Sequence, residues 1–145
     1  ERLDLSPRND EIRRVPVDEP GRYRVEISGS CQHRFAAPAG IPMTIEFMSS
    51  LNTPRSYFYV PKETKRLYMR WSGKKRKRMT LFDAQGNSVP FEWRRRTLVV
   101  AEVPDGMDGR VWSVDKHLGG AMDLLNAPQV FAWFPDTLMV PADAQ

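Results

Sequence analysis

Residues 57–71 read Tyr57-Phe58-Tyr59-Val60-Pro61-Lys62-Glu63-Thr64-Lys65-Arg66-Leu67-Tyr68-Met69-Arg70-Trp71. Two runs rich in aromatic and aliphatic residues flank the turn Pro61-Lys62-Glu63-Thr64, which predicts a pair of strands joined by that turn. In the second run Leu67, Met69 and Trp71 alternate with Arg66, Tyr68 and Arg70. Successive strand side chains point to opposite faces. A charge does not enter a core unpaired. Leu67, Met69 and Trp71 are therefore expected inside, with Arg66, Tyr68 and Arg70 outside. By the same argument Phe58 and Val60 point inward, and Tyr57 and Tyr59 outward.

The pattern continues on both sides. Pro, Gly, Asn or Asp interrupts the chain about every ten residues, the spacing of a sandwich or barrel. Strands are expected at residues 12–17, 21–28, 43–48, 57–60, 66–71, 77–83, 89–93, 97–103, 110–116, 130–134 and 138–140. Met79 and Leu81 face inward against Arg76, Arg78 and Thr80. Trp112 and Val114 face inward, with Val111, Ser113 and Asp115 outward. Asp83-Ala84-Gln85-Gly86-Asn87 closes one strand as a turn. Residues 119–128 read either as one helical turn or as an irregular loop. The expected architecture is all-β, an antiparallel β-sandwich of jelly-roll-like topology. It is expected as a single domain over residues 1–145, with 1–20 as a leading edge strand or linker.

Bulk properties fit this. A chain of 145 residues with 41% hydrophobic and 28% charged residues suits one folded core. Its longest apolar runs, such as residues 98–101, are far too short to span a bilayer. The start at Glu1 suggests a processed form or an excised piece of a longer protein. The lone Cys31 rules out an intrachain disulfide and a four-cysteine zinc site. It suits a periplasmic or external setting better than the cytosol. The net charge of +4 is uneven: residues 62–78 hold nine Lys or Arg and one acid, so that segment carries +8 and the rest −4.

Three stretches carry a resemblance. Residues 57–68 resemble the F-x-V-P-x-G-T-x-x-L opening of pre-peptidase C-terminal-type β-sandwich domains. Met79-Thr80-Leu81-Phe82-Asp83-Ala84-Gln85-Gly86-Asn87 resembles their L-Y-D-P-D-G-N hairpin. Residues 103–114, VPDGMDGRVWSV, resemble their x-G-x-W-x-V strand. The likeness covers about residues 55–135 and extends to carbohydrate-binding-module-like sandwiches. The sequence departs from the pattern at Glu63, where such domains usually carry Gly, and in the cationic run at residues 74–78. The resemblance implies a non-catalytic accessory module beside a catalytic domain, in a secreted, periplasmic or cell-envelope protein.

The candidate binding residues are Tyr57, Tyr59, Tyr68, Arg66, Arg70, Arg76, Arg78 and Trp93. Aromatic rings on a flat sheet stack on the apolar faces of sugars, and arginine forks grip carboxylates or sulfates. Together they suit a polysaccharide, an acidic one in particular. The plainer alternatives are a solvated sheet face or a surface docked on a neighbouring enzyme domain. Trp71, Trp112 and Trp133 are expected in the core, and Trp93 at an exposed strand end. The runs Lys74-Lys75-Arg76-Lys77-Arg78 and Arg94-Arg95-Arg96 would form one basic rim if they shared an end of the fold. That keeps a polyanion binder as an alternative, although nucleic acid is not expected, because aromatic interleaving is missing.

Catalysis is not expected. His33 and His117 are the only histidines, and Cys31-Gln32-His33 lacks an oxyanion hole and a third triad member. No G-x-S-x-G, H-E-x-x-H or glycine-rich phosphate loop occurs. Asp105, Asp108 and Asp115 read as turn-forming residues, a structural calcium being the sharper alternative. No other cofactor is expected.

Overall fold

The computed structural model describes residues 55–71, 79–116 and 121–141, together with Glu19. The expected strands at 12–17, 21–28 and 43–48 lie outside the described residues. So do Arg76, Arg78, Cys31 and both histidines. All described strands fall within one compact unit, Ala37–Gln145.

The strands are β1 (Arg55–Val60), β2 (Arg66–Trp71), β3 (Met79–Phe82), β4 (Ser88–Val89), β5 (Phe91–Arg94), β6 (Leu98–Glu102), β7 (Arg110–Lys116), β8 (Met122–Leu124) and β9 (Phe131–Ala132). They form two sheets, in the orders β4-β3-β7-β1-β9 and β5-β6-β2-β8. Every described pairing is antiparallel. Both sheets feed one core, so the fold is an antiparallel β-sandwich. Phe58, Val60, Leu81, Trp112, Val114 and Phe131 meet Leu67, Met69, Val99 and Met122 there, all with no exposed surface. Burial of each large apolar side chain contributes roughly 1.5–3 kcal/mol, which holds the two layers together without any disulfide. Leu67, Met69 and Trp71 are inside and Arg66 and Arg70 outside, as the alternation predicts.

Several expectations are corrected. β1 and β2 do not pair: β1 bonds to β7 and β9, and β2 to β6 and β8. The Pro61–Thr64 turn, closed by Thr64 N–H to Pro61 O at 3.3 Å, carries the chain from one sheet to the other. The single strand expected at 89–93 is two, because Pro90 offers no N–H to a ladder and the chain changes sheets there. Residues 119–128 contain strand β8, whose Leu124 and Met122 lie opposite Met69 and Trp71. The Gln129 amide fixes its exit, with Oε1 accepting from Leu124 N–H and Nε2 donating to Met122 O. Instead of a strand at 138–140, a 3-10 turn at Pro135–Thr137 leads into an unpaired extended segment. Trp133 is half-buried rather than in the core.

Tyr59, expected outward, is buried. It joins Ala132 and Leu138 in a small second cluster, with Val111 and Val140 packed against it. The segment after β9 folds back over the outer face of the five-stranded sheet and covers that ring. Ser113, also expected outward, is buried as well.

Candidate functional site

The structure does not bring the expected binding residues onto one face. Tyr57 and Tyr59 belong to the five-stranded sheet, whereas Arg66, Tyr68 and Arg70 belong to the four-stranded sheet on the other side of the core. Trp93 is half-buried and packs on the core beside Phe91, edge to face at 6.1 Å. It closes the flank of the sandwich and is not a free platform. Arg76 and Arg78 lie outside the described residues. At the end of β2, Trp71 N–H donates to Thr97 O at 2.8 Å, next to the Arg94-Arg95-Arg96 turn.

On the four-stranded sheet each outward arginine meets a carboxylate. Arg66 pairs with Glu102 of β6 at 2.7 Å and Arg70 with Asp123 of β8 at 2.7 Å. Arg94 approaches Glu92 at 3.6 Å. Tyr68 is half-buried between Arg66 and Arg70, opposite Val100, and Asn126 brackets it by accepting from Tyr68 N–H and donating to Arg66 O. This face is charge-compensated across strands, so it offers a ligand little uncommitted charge.

The outer face of the five-stranded sheet is shaped differently. An open cleft of about 640 Å³ lies along β7, within the roughly 300–1,000 Å³ typical of small-molecule sites. Val111 and Ser113 lie along its floor. The Asp83–Gly86 turn flanks it on the β3 side, and Tyr57 with Pro135 on the β1 side. Arg55 stands at one end. Lys62, Gly106, Asp108, Gly109 and Arg110 form the other. Arg55 lies opposite Asp115, five residues along β7 from Arg110. The β7 residues that line the cleft run from Arg110 to Ser113, a floor of about 10 Å at 3.4 Å per residue.

Each wall is held by local chemistry. Asp83 Oδ1 accepts from Gln85 N–H at 2.8 Å and Asn87 N–H at 2.9 Å, and Oδ2 accepts from Asn87 Nδ2 at 3.2 Å. Burial alone would push this carboxyl up, but the combined hydrogen bonds from Asn87, Gln85 and Gly86 prevail and hold it below the usual carboxylate range. Gly86 completes the turn at φ 83°, a conformation that only glycine adopts without steric cost. Arg55 grips Asp115 with two bonds, 2.7 and 2.9 Å, and its guanidinium stacks on Phe82 at 4.4 Å.

The far end is two braced loops. Glu63 sits at φ 65°, left-handed for a residue with a side chain, and its N–H donates to Asp108 Oδ2 at 2.7 Å. This is the position where the resembled domains carry Gly. Val103 N–H bonds Lys65 O at 2.9 Å, Trp112 Nε1 donates to Met107 O at 2.7 Å, and Arg110 Nε donates to Gly106 O at 2.9 Å. A backbone conformation held against its preference beside a cleft marks a place worth testing for function.

Of the expected binding residues that the structure describes, Tyr57 alone lines the cleft. Arg55 was within reach of the alternation argument, because it lies two residues before Tyr57 and shares its face. Lys62, Asp83 and Arg110 sit in turns and at a strand end, where period-two patterning gives no orientation. Among the described residues no three His, Cys, Asp or Glu side chains converge as a metal-ligand set. Asp108 and Asp115 each have another partner, the Glu63 N–H and Arg55. No described helix is long and apolar enough to cross a membrane. Compared with protein-family models, curated proteins and solved structures, the chain matches none.

Proposed function

We propose that this domain is a non-catalytic accessory module that binds carbohydrate along the outer face of its five-stranded sheet. The observation that carries the reading is the cleft over β7, which sets the half-buried Tyr57 beside Arg55 and near Arg110 on a rigid floor. An aromatic ring next to hydrogen-bond donors suits a sugar, whose ring face is apolar and whose rim is hydroxylated. Affinity electrophoresis against neutral, uronic and sulfated polymers tests it. Retention on at least one polymer is expected, with Tyr57→Ala reducing it tenfold or more at unchanged melting temperature. Free migration through every gel would refute it.

A second reading is supported by a separate observation. Phe134 is 62% exposed and Met139 40% exposed, on either side of the segment that covers Tyr59. Large exposed apolar side chains fit a structural module that packs on a neighbouring catalytic domain. If Phe134→Ser together with Met139→Ser weakens attachment to a flanking domain while Tyr57→Ala changes no glycan retention, this reading replaces the first.

A further inference from the structure

We infer, resting on that carbohydrate reading, that the sugar bound in the cleft is carboxylated and that Arg110 is the residue that selects the carboxylate. The described arginines on the flat of the sheets are already committed: Arg55, Arg66 and Arg70 each hold a carboxylate at 2.7 Å. Arg110 is held differently. It stands exposed at the start of β7 and lines the mouth of the cleft, and its one described bond runs from Nε to the Gly106 carbonyl at 2.9 Å. That bond fixes the plane of the guanidinium without neutralising it. An oriented guanidinium whose charge no described carboxylate offsets is a fork preset for a planar anion.

The rest of the lining agrees. The cleft is lined by Arg55, Lys62 and Arg110 and by two acids, Asp83 and Asp108, with Arg55 already offset by Asp115. Both acids have oxygens taken up by protein donors: Asp83 by the amides of its own turn, Asp108 by Glu63 N–H. A carboxylate arriving at Arg110 therefore meets acids whose oxygens already accept from protein donors. The loop behind Arg110 is braced at Trp112 Nε1–Met107 O and at Glu63–Asp108, so the fork needs little ordering on binding.

The test uses the whole chain and oligosaccharides of polygalacturonate, alginate and hyaluronan, each beside its carboxyl-esterified form, with dextran sulfate as the sulfate arm. Calorimetry should show at least one acidic form binding tenfold or more tightly than its ester. Arg110→Gln should abolish that preference, bringing the affinity for the acid down to that for its ester. Arg110→Lys should restore part of it, because the charge returns without the fork. Equal affinity for acid and ester, tighter binding to dextran sulfate than to every uronate, or an undiminished preference in Arg110→Gln overturns the inference and leaves the carbohydrate reading standing. No binding of any polymer removes both.

Discussion

Replacing Glu63 with glycine should stabilise the protein, and the size of the gain follows from the backbone. At φ 65° the Glu63 Cβ is crowded against its own chain, which costs an L-residue roughly 1–2 kcal/mol. Glycine removes that cost but gives the unfolded chain more freedom, which returns about 0.4–1 kcal/mol. The bond to Asp108 comes from the backbone N–H, so it survives the substitution. The net expectation for Glu63→Gly is a gain of about 0.5–1 kcal/mol, seen as a melting temperature higher by about 2–4 °C. Glu63→Ala is the decisive control, because it deletes the carboxylate yet keeps the Cβ, and it should lie within about 0.5 kcal/mol of the parent. Calorimetric scans of the three proteins under one condition read this directly. If alanine stabilises as much as glycine, or glycine lowers the melting temperature, the backbone account is wrong.

Other positions give independent checks. Gly109→Ala should destabilise by more than about 1 kcal/mol, since φ is 65° and the new Cβ would lie 2.7 Å from Lys62 Cγ; Lys62→Ala in that background should recover only the steric part, measured by urea unfolding. The Asp83 carboxyl is held below its ordinary value of 3.8, so its folded form binds its proton less readily than the unfolded one. Its contribution is therefore present above pH about 3.8 and fades as pH falls through the lower folded value; urea midpoints from pH 2 to 5 should show a shallower acid loss in Asp83→Asn than in the parent. Tyr59→Ala should lose about 3 kcal/mol or more by emptying the cluster beneath Leu138, with glycan affinity per folded molecule unchanged in calorimetric titration.

Inward and outward positions were legible wherever a strand had one wet face. Leu67, Met69 and Trp71 were assigned by the charges between them, and the structure buries all three. What local pattern could not tell was the partner of each strand. Phe58 and Leu67 point into the same core whether the five residues between their strands make a hairpin or a step from one sheet to the other. The true neighbours lie far along the chain: Arg55 opposite Asp115 and Arg66 opposite Glu102. The misplaced Tyr59 has the same origin, because the Leu138 that covers it arrives from a segment with no periodicity of its own. Of the cleft, Tyr57 was found because it sits mid-strand. Arg110 and Lys62 were missed because only the docking of two separate loops brings them together.

The strand order also carries a schedule. The pairs β1–β9, β2–β8 and β3–β7 are nested one inside another, so early strands must wait for late ones. As the chain emerges during synthesis, β1 has no ladder partner among the described strands until β7 appears, and β2 none until β6. Until then two alternating strands present unpaired edges, a state prone to association with other copies. Folding dominated by such distant pairings belongs to the millisecond-to-second range, and the segment bearing Pro135, part of the cleft wall, is made after every strand of the five-stranded sheet.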